Sequence, residues 1–224
     1  MVGQFMKRTL DIVGGFVGLL LSIPIFILVP ILIKLDSSGP VFYTQVRVGR
    51  NRRRSDRRYH QRSDSTDHRS RERRRENAMG STFRVIKFRT MVHDAEKQCG
   101  PVWATKGDPR ITRIGRFLRK TRLDEFPQFI NVLRGEMSLV GPRPERPSFV
   151  ADLATKVENY TARLDVKPGL TGLAQVETGY DSSLDSVVRK VDRDLEYIRT
   201  WSFWADIKIL LRTVVVVLTG RGSC

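Results

Sequence analysis

The sequence predicts a mixed α/β fold, mostly helical with a small sheet, joined to an N-terminal membrane segment. A run of 22 residues without a charge, Ile12 to Ile33, lies between Asp11 and Lys34. Two stretches, around 113–120 and 184–198, space their apolar residues at helical intervals, and one, FRVIKFRTM, alternates as a strand does. The 224 residues leave room for one domain of ordinary size plus appendages, and 40% hydrophobic content is enough for a core. Cys99 and Cys224 are too few for a disulfide framework or a zinc site with paired ligands. Against 24 Asp and Glu stand 40 Lys and Arg, a formal charge of +16, so the chain should meet polyanions: nucleic acid, acidic headgroups or phosphates.

The uncharged run is about 33 Å long as a helix, the thickness of a bilayer core. It continues into Lys34, Leu35 and Asp36 without a small-residue cleavage site, so it is expected to be retained. Pro24 lies near its middle with Ser22 two residues earlier, and Pro30 follows; a mid-helix proline removes a backbone hydrogen bond and bends the helix. Lys7 and Arg8 precede the run and Lys34, Arg47 and Arg50 follow it, which favours both ends on the cytoplasmic side. A re-entrant helix hairpin satisfies this charge pattern. An ordinary bitopic anchor with a proline kink is the alternative these residues leave open.

Residues 50–76 hold twelve Arg and five acids, with Tyr59 the only sizeable apolar residue. Such a stretch cannot bury a core, so 50–80 is read as a disordered, solvated insertion without chemistry. An electrostatic tether to anionic lipid is the sharper alternative. The strand after it carries Arg84, Lys87 and Arg89, a basic edge able to hold phosphate or simply to face solvent.

The densest chemistry lies from Asp108 to Met137. Ile114, Phe117 and Leu118 fall at helical spacing among Arg113, Arg116, Arg119 and Lys120, and this basic helix runs into Leu123-Asp124-Glu125. Pro127 belongs in a first helical turn, so a new helix is predicted with Asp124 as N-cap and Pro127 at the third position. A carboxylate there stays ionised and, facing a cleft, can attack or bind a metal ion; plain capping by Asp124 and dipole complementation by Glu125 are the bland alternative. SLVGPRPERP follows, a rigid turn whose Arg143 and Arg146 suit phosphate oxygens. VKPGLTGLAQV is a second turn-rich segment leading into an apolar strand. Leu184, Val187, Val188, Val191, Leu195 and Ile198 make a helical stripe, in which Asp194 is placed to pair with Lys190. In the closing WSFWADIKILLRTVVVVLTGRG, Trp201 and Trp204 read as a membrane-interface end and Val214 to Val217 as packed.

These segments together resemble one family. KRTLDIV, the apolar run with its proline, KLDSSGPVFYTQVRVG, KFRTM, DPRITRIGRFLRKTRLDEFPQFINVLRGEMSLVGPRPERP, VKPGLTGLAQV and DLEYI, in this order, are similar to the bacterial sugar transferases, monotopic phosphoglycosyltransferases. The resemblance implies a re-entrant membrane helix over 1–36 and a cytoplasmic catalytic domain with interfacial amphipathic helices over 37–219, in the small single-domain form. It further implies transfer of sugar-1-phosphate from a UDP-sugar to a polyprenyl (undecaprenyl) phosphate, release of UMP, and a requirement for Mg²⁺, at the cytoplasmic face of the bacterial inner membrane. Asp124 matches the family nucleophile and Glu125 the magnesium ligand. Lys87, Arg119, Arg143 and Arg163 match basic phosphate-binding positions, and Asp194 matches an acid near the site. Anionic membrane lipids and downstream glycosyltransferases are the other expected partners. Two departures stand out: Ile23 separates Ser22 from Pro24, where the family often joins Ser to Pro to break the helix, and the Arg-rich insertion replaces a short turn. A membrane-tethered nucleic-acid-binding protein and a non-catalytic scaffold are the competing classes. The first leaves LDE, GPRPERP and VKPGLTG without a purpose, and its Arg tract lacks the interleaved aromatics that stack bases, so no nucleic acid is expected.

Overall fold

A computed structural model describes residues 2–51, 80–97, 100, 102, 107–178 and 184–219, so the Arg-rich insertion lies outside the described residues except at its ends. In chain order the elements are α1 (Val2–Leu21), α2 (Ile23–Asp36), β1 (Phe42–Val48), β2 (Thr82–Phe88), α3 (Arg113–Thr121), α4 (Gln128–Arg134), β3 (Ser138–Val140), α5 (Pro147–Lys156), β4 (Gly169–Thr171), α6 (Leu173–Glu177), α7 (Leu184–Arg199) and α8 (Phe203–Thr219). Short 3₁₀ turns occupy Leu123–Glu125 and Tyr160–Asp165. The fold is mostly helical with two small sheets, as expected.

The apolar N-terminal run is a helix broken at Ser22, whose amide and hydroxyl both turn back to the Gly18 carbonyl. Pro24 then falls in the first turn of α2, where its missing N–H costs nothing, and the two halves bend by 55°. The intervening Ile23 does not prevent the break. Among the described residues no single helix is long and apolar enough to cross a membrane; the bent pair passes that test only together.

One side of α1 is glycine because the domain sits against it. A Cβ on Gly14 would lie 2.5 Å from Leu139 Cδ1 and one on Gly18 2.6 Å from the Phe129 ring. The other side leaves Phe5, Phe16 and Leu20 exposed. Likewise α2 buries Val29 and Ile33 against Phe88 and Leu118 while Ile27, Leu28 and Leu35 stay exposed.

Polar bonds fix both ends of this pair to the same domain. Lys7 donates to Asp206 at 2.7 Å, the Tyr197 hydroxyl at 2.9 Å and the Val140 carbonyl at 3.0 Å. Arg8 caps α4 by donating to the carbonyls of Val132 and Leu133, both at 2.8 Å. Buried Asp11 accepts from the Ser138 hydroxyl and the Leu139 amide. At the far end, Asp36 accepts from the Ile114 amide at 3.0 Å, and Arg89 donates to the carbonyls of Ser37 and Ser38. Arg89 is therefore buried, with two guanidinium nitrogens engaged by main chain.

The strands β1 and β2 pair antiparallel, Phe42 opposite Phe88, Tyr43 opposite Lys87 and Val48 opposite Thr82, so the insertion connects neighbouring strands. β3 and β4 pair in parallel, Ser138 with Gly169 and Val140 with Thr171. This crossing demands glycine: a Cβ on Gly169 would lie 2.1 Å from the Gly141 amide nitrogen. VKPGLTG thus exists to support the GPRPERP turn. The apolar residues after it form helix α6 instead of the expected strand, since five residues carry too little periodicity to separate the two.

Three details differ from the sequence expectation for the helices. Phe117 is exposed while Leu118 is fully buried. Trp201 packs inward, donating to Asp206 at 3.2 Å, and only Trp204 is exposed. Val214 and Val215 are exposed because α8 runs past its last deep core contact, Ile209.

Gly115 marks the tightest helix contact, since a Cβ there would lie 2.0 Å from the Thr90 carbonyl oxygen. Although Ala normally gains about 1 kcal/mol over Gly inside a helix, Gly115→Ala should destabilise the protein by about 2 kcal/mol through overpacking. Denaturant unfolding in detergent checks this, and a variant as stable as the parent would contradict the packing of α3 on Thr90.

Candidate active site

Helix α3 stops because Arg122 adopts the left-handed conformation, φ 57°, and its amide closes back on Arg119 and Leu118. The chain then tightens into the 3₁₀ turn Leu123–Glu125, and α4 begins only at Gln128 with Pro127 as its N-cap. Asp124 is consequently not a helix cap, and Pro127 sits one helix boundary earlier than its expected third position. The turn consumes the residues the sequence reading gave to α4. Its effect is to place Asp124 and Glu125 side by side, 8% and 9% exposed.

The two carboxylates meet different surroundings. Glu125 Oε1 accepts from Lys87 Nζ at 2.9 Å and from Arg143 Nη2 at 2.5 Å, and Arg143 Nη1 reaches Oε2 at 3.4 Å. Burial alone would push Glu125 up, but Arg143 and Lys87 outweigh it and hold the carboxyl well below the ordinary range. For Asp124, burial dominates; with Glu125 adding repulsion, the pull of Lys87, Arg119 and Arg143 is too weak to offset it, and the carboxyl is pushed up to about 6. Burial also lowers Lys87, a shift that Glu125 opposes.

Position is enforced from behind. Asn131, fully buried on α4, accepts from the Ile86 amide at 3.1 Å and donates to the Arg84 carbonyl at 2.8 Å, bonding β2 as a neighbouring strand would. Lys87 on β2 is thereby registered against the turn that precedes α4. Arg119 donates to the Thr90 hydroxyl at 2.9 Å, which aims it along the same wall.

These residues open onto a cleft of about 750 Å³. Lys87, Arg119, Asp124, Glu125, Arg143, Arg163 and Asp194, dispersed over more than 100 residues of sequence, all line it. Ser22 and Pro24 lie elsewhere, at the helix break. Arg163 is engaged inward: it donates to Asp194 at 2.7 and 3.1 Å, to the Tyr160 hydroxyl at 3.0 Å and to the Arg143 carbonyl at 3.2 Å. The bonded partner of Asp194 is thus Arg163 on a distant turn, in place of the i−4 pairing with Lys190. Sequence reasoning missed Arg47, Thr90, Asn131 and Tyr160. Arg47 lines the cleft from β1, and the only sign of it was its place in the VRVG strand.

The cleft combines basic side chains, Arg47, Lys87, Arg119 and Arg143 among them, with two adjacent carboxylates, which suits a polyphosphate. It also suits a hard cation. Mg²⁺ usually takes one or two carboxylates and completes its shell with phosphate oxygens and water. Asp124 and Glu125 supply that donor set, and among the described residues no group of three or more His, Cys, Asp or Glu is assembled.

The chain matches the family model described as "Bacterial sugar transferase" over residues 2–72 and 59–220. It is 38% identical over 219 residues to the UDP-N-acetylgalactosamine-undecaprenyl-phosphate N-acetylgalactosaminephosphotransferase of Aeromonas hydrophila, covering 98% of this chain and 45% of that one. The UDP-glucose:undecaprenyl-phosphate glucose-1-phosphate transferase of Caulobacter vibrioides is also 38% identical, over 97% of this chain and 71% of its own. The Escherichia coli enzyme of the same description is 39% identical, over 99% and 42%. The chain therefore spans less than half the length of two of these three relatives. With the motifs, the cleft and the matches in agreement over nearly its whole length, the chain belongs to the bacterial sugar transferase family.

Proposed function

We propose that this protein transfers sugar-1-phosphate from a UDP-sugar to undecaprenyl phosphate at the cytoplasmic face of the bacterial inner membrane, releasing UMP in an early membrane step of polysaccharide or glycan synthesis. The observation that carries this reading is the unequal pair at the centre of a basic cleft: Glu125 bonded to two cations, and Asp124 beside it with no hydrogen bond to its carboxylate among the described residues. A carboxylate left without a partner in a buried site is available to attack.

In the proposed reaction Arg143, Lys87 and Arg119 bind and orient the diphosphate, offsetting its charge where it builds up. An Asp124 oxygen attacks the phosphorus that bears the sugar, the bond from that phosphorus to the UMP oxygen breaks, and UMP leaves with the electron pair. An oxygen of the lipid phosphate then attacks the same phosphorus and returns Asp124 as a carboxylate. Glu125, with Asp124 beside it, would hold Mg²⁺, which when bound supplies further charge neutralisation at the phosphate oxygens.

The N-terminal pair supports membrane attachment. Lys7 and Asp36, near its two ends, are bonded to one domain, so a helix pair that entered a bilayer would have to return to the side it came from. This supports a re-entrant element. The exposed apolar side of α1 and α2 faces lipid, with Trp204 and the basic helix α3 at the interface, where anionic headgroups and downstream glycosyltransferases would be met.

Two experiments test these statements. With a panel of UDP-sugars, Mg²⁺ and no lipid acceptor, the protein should release about one UMP per active site and gain the mass of a sugar phosphate, as double displacement requires. Asp124→Asn should abolish both signals, and Glu125→Gln should slow the first step and weaken its dependence on Mg²⁺. UMP release only when acceptor is present, with Asp124→Asn largely active, would contradict the covalent step. For topology, single cysteines at Gln4 and Ser38 in a Cys99→Ser, Cys224→Ser background should both be shielded from membrane-impermeant thiol reagents in intact cells. Labelling at Gln4 alone would mean a bitopic span.

A further inference from the structure

The turn that carries Arg143 is held by its own main chain to an unusual degree. The Val140 carbonyl accepts from Lys7 at 3.0 Å and from Tyr197 at 3.2 Å. The Gly141 amide donates to Thr171 and the Pro142 carbonyl accepts from Gly169, each at 2.8 Å. The Arg143 carbonyl accepts from Arg163 at 3.2 Å, the Pro144 carbonyl from Arg47 at 3.0 Å, and the Glu145 carbonyl from the Val48 amide at 2.9 Å. Pro142 and Pro144 have no N–H to satisfy and fixed φ angles. Five of the six carbonyls from Val140 to Glu145 are therefore tied to other parts of the fold.

The link to Arg143 itself is the informative one. Arg163 is 8% exposed, and all three of its guanidinium nitrogens are occupied inside the protein: Nε and Nη2 on Asp194, Nη1 on Tyr160, and Nη2 again on the Arg143 carbonyl. Asp194 is itself only 2% exposed. A planar guanidinium presents its N–H groups in one fixed fork. Turning it toward a ligand would strip Asp194 of its cation in a buried site, which the protein strongly resists. Arg143, by contrast, is bonded by its side chain to Glu125 alone among the described residues and stands at the cleft.

We propose that Arg163 is a positioning residue: fixed by Asp194 and Tyr160, it holds the main chain of Arg143 so that the Arg143 guanidinium meets Glu125 and the substrate diphosphate, and it does not itself contact phosphate. This rests on the reading of the cleft as a site for a nucleoside-diphosphate sugar.

A double-mutant cycle on steady-state UMP release with undecaprenyl phosphate present tests it, using the intact protein and the UDP-sugar that the parent turns over. Arg143→Gln should lower kcat/KM about 100-fold and Arg163→Lys about tenfold, with the double variant within about twofold of Arg143→Gln alone, because the second change acts only through the first. Arg163→Lys should also raise KM for the UDP-sugar, whereas a residue needed only for folding would reduce the active fraction and leave KM unchanged. Losses that multiply to about 1000-fold in the double variant, or an unchanged KM, would overturn the proposal. If Arg163→Lys does not fold, Asp194→Asn, which retains Arg163 and removes its anchor, takes its place in the same cycle with the same expectation. A parent protein that turns over no UDP-sugar would remove the underlying reading; a parent that is active with multiplying losses would remove the positioning role alone.

Discussion

Glu125 is the charge around which the site is arranged. It is buried, and it accepts from Lys87 on one side and Arg143 on the other. Burying an ion requires compensation of this kind, and compensation is finite in a confined space. Both cations bond Glu125, so its neighbour Asp124 is left with burial and like-charge repulsion, and its carboxyl rises to about 6 from an ordinary 3.8. The sign has a consequence for stability. A carboxyl raised in the folded state favours folding when protonated, so that contribution is present below about pH 4 and lost as pH rises through about 6. At neutral pH an ionised Asp124 therefore destabilises the fold.

The rest of the domain serves that arrangement. Asn131 registers Lys87, the left-handed Arg122 turns the carboxylates toward the cleft, and the proline turn bound by β4, Arg47 and Arg163 delivers Arg143. The N-terminal helix pair belongs to the same assembly. Lys7 bonds the Val140 carbonyl three residues before Arg143, and Asp11 bonds Ser138 and Leu139, so the apolar helix also braces the site. Its glycine side and its broken middle follow from that double contact, with the domain on one side and apolar surface left exposed on the other.

Much of this was legible in the sequence because motifs of fixed order carry both chemistry and family likeness. Asp124, Glu125, Lys87, Arg119, Arg143, Arg163 and Asp194 do share one cleft. The helix break at Ser22 and Pro24 and the small sheet were also visible. What escaped was set by long-range contact. Nothing local in LDEFP distinguishes a helix cap from a 3₁₀ turn, because the deciding feature is the positive φ at Arg122, a residue type that rarely adopts it. The pairing of Asp194 with Arg163 spans 31 residues and competes on paper with a nearer Lys190. Trp201, Val214 and Val215 were misassigned because amphipathic character does not reveal where a helix outruns the core.

The inequality of the two carboxylates is measured most directly by carbon NMR of metal-free protein labelled at the aspartate carboxyls, titrated from pH 3 to 8. The account expects one resonance with a midpoint near 6 that disappears in Asp124→Asn. A resonance assigned to Asp124 in this way with a midpoint at or below about 4, the range of an ordinary aspartate, would contradict it.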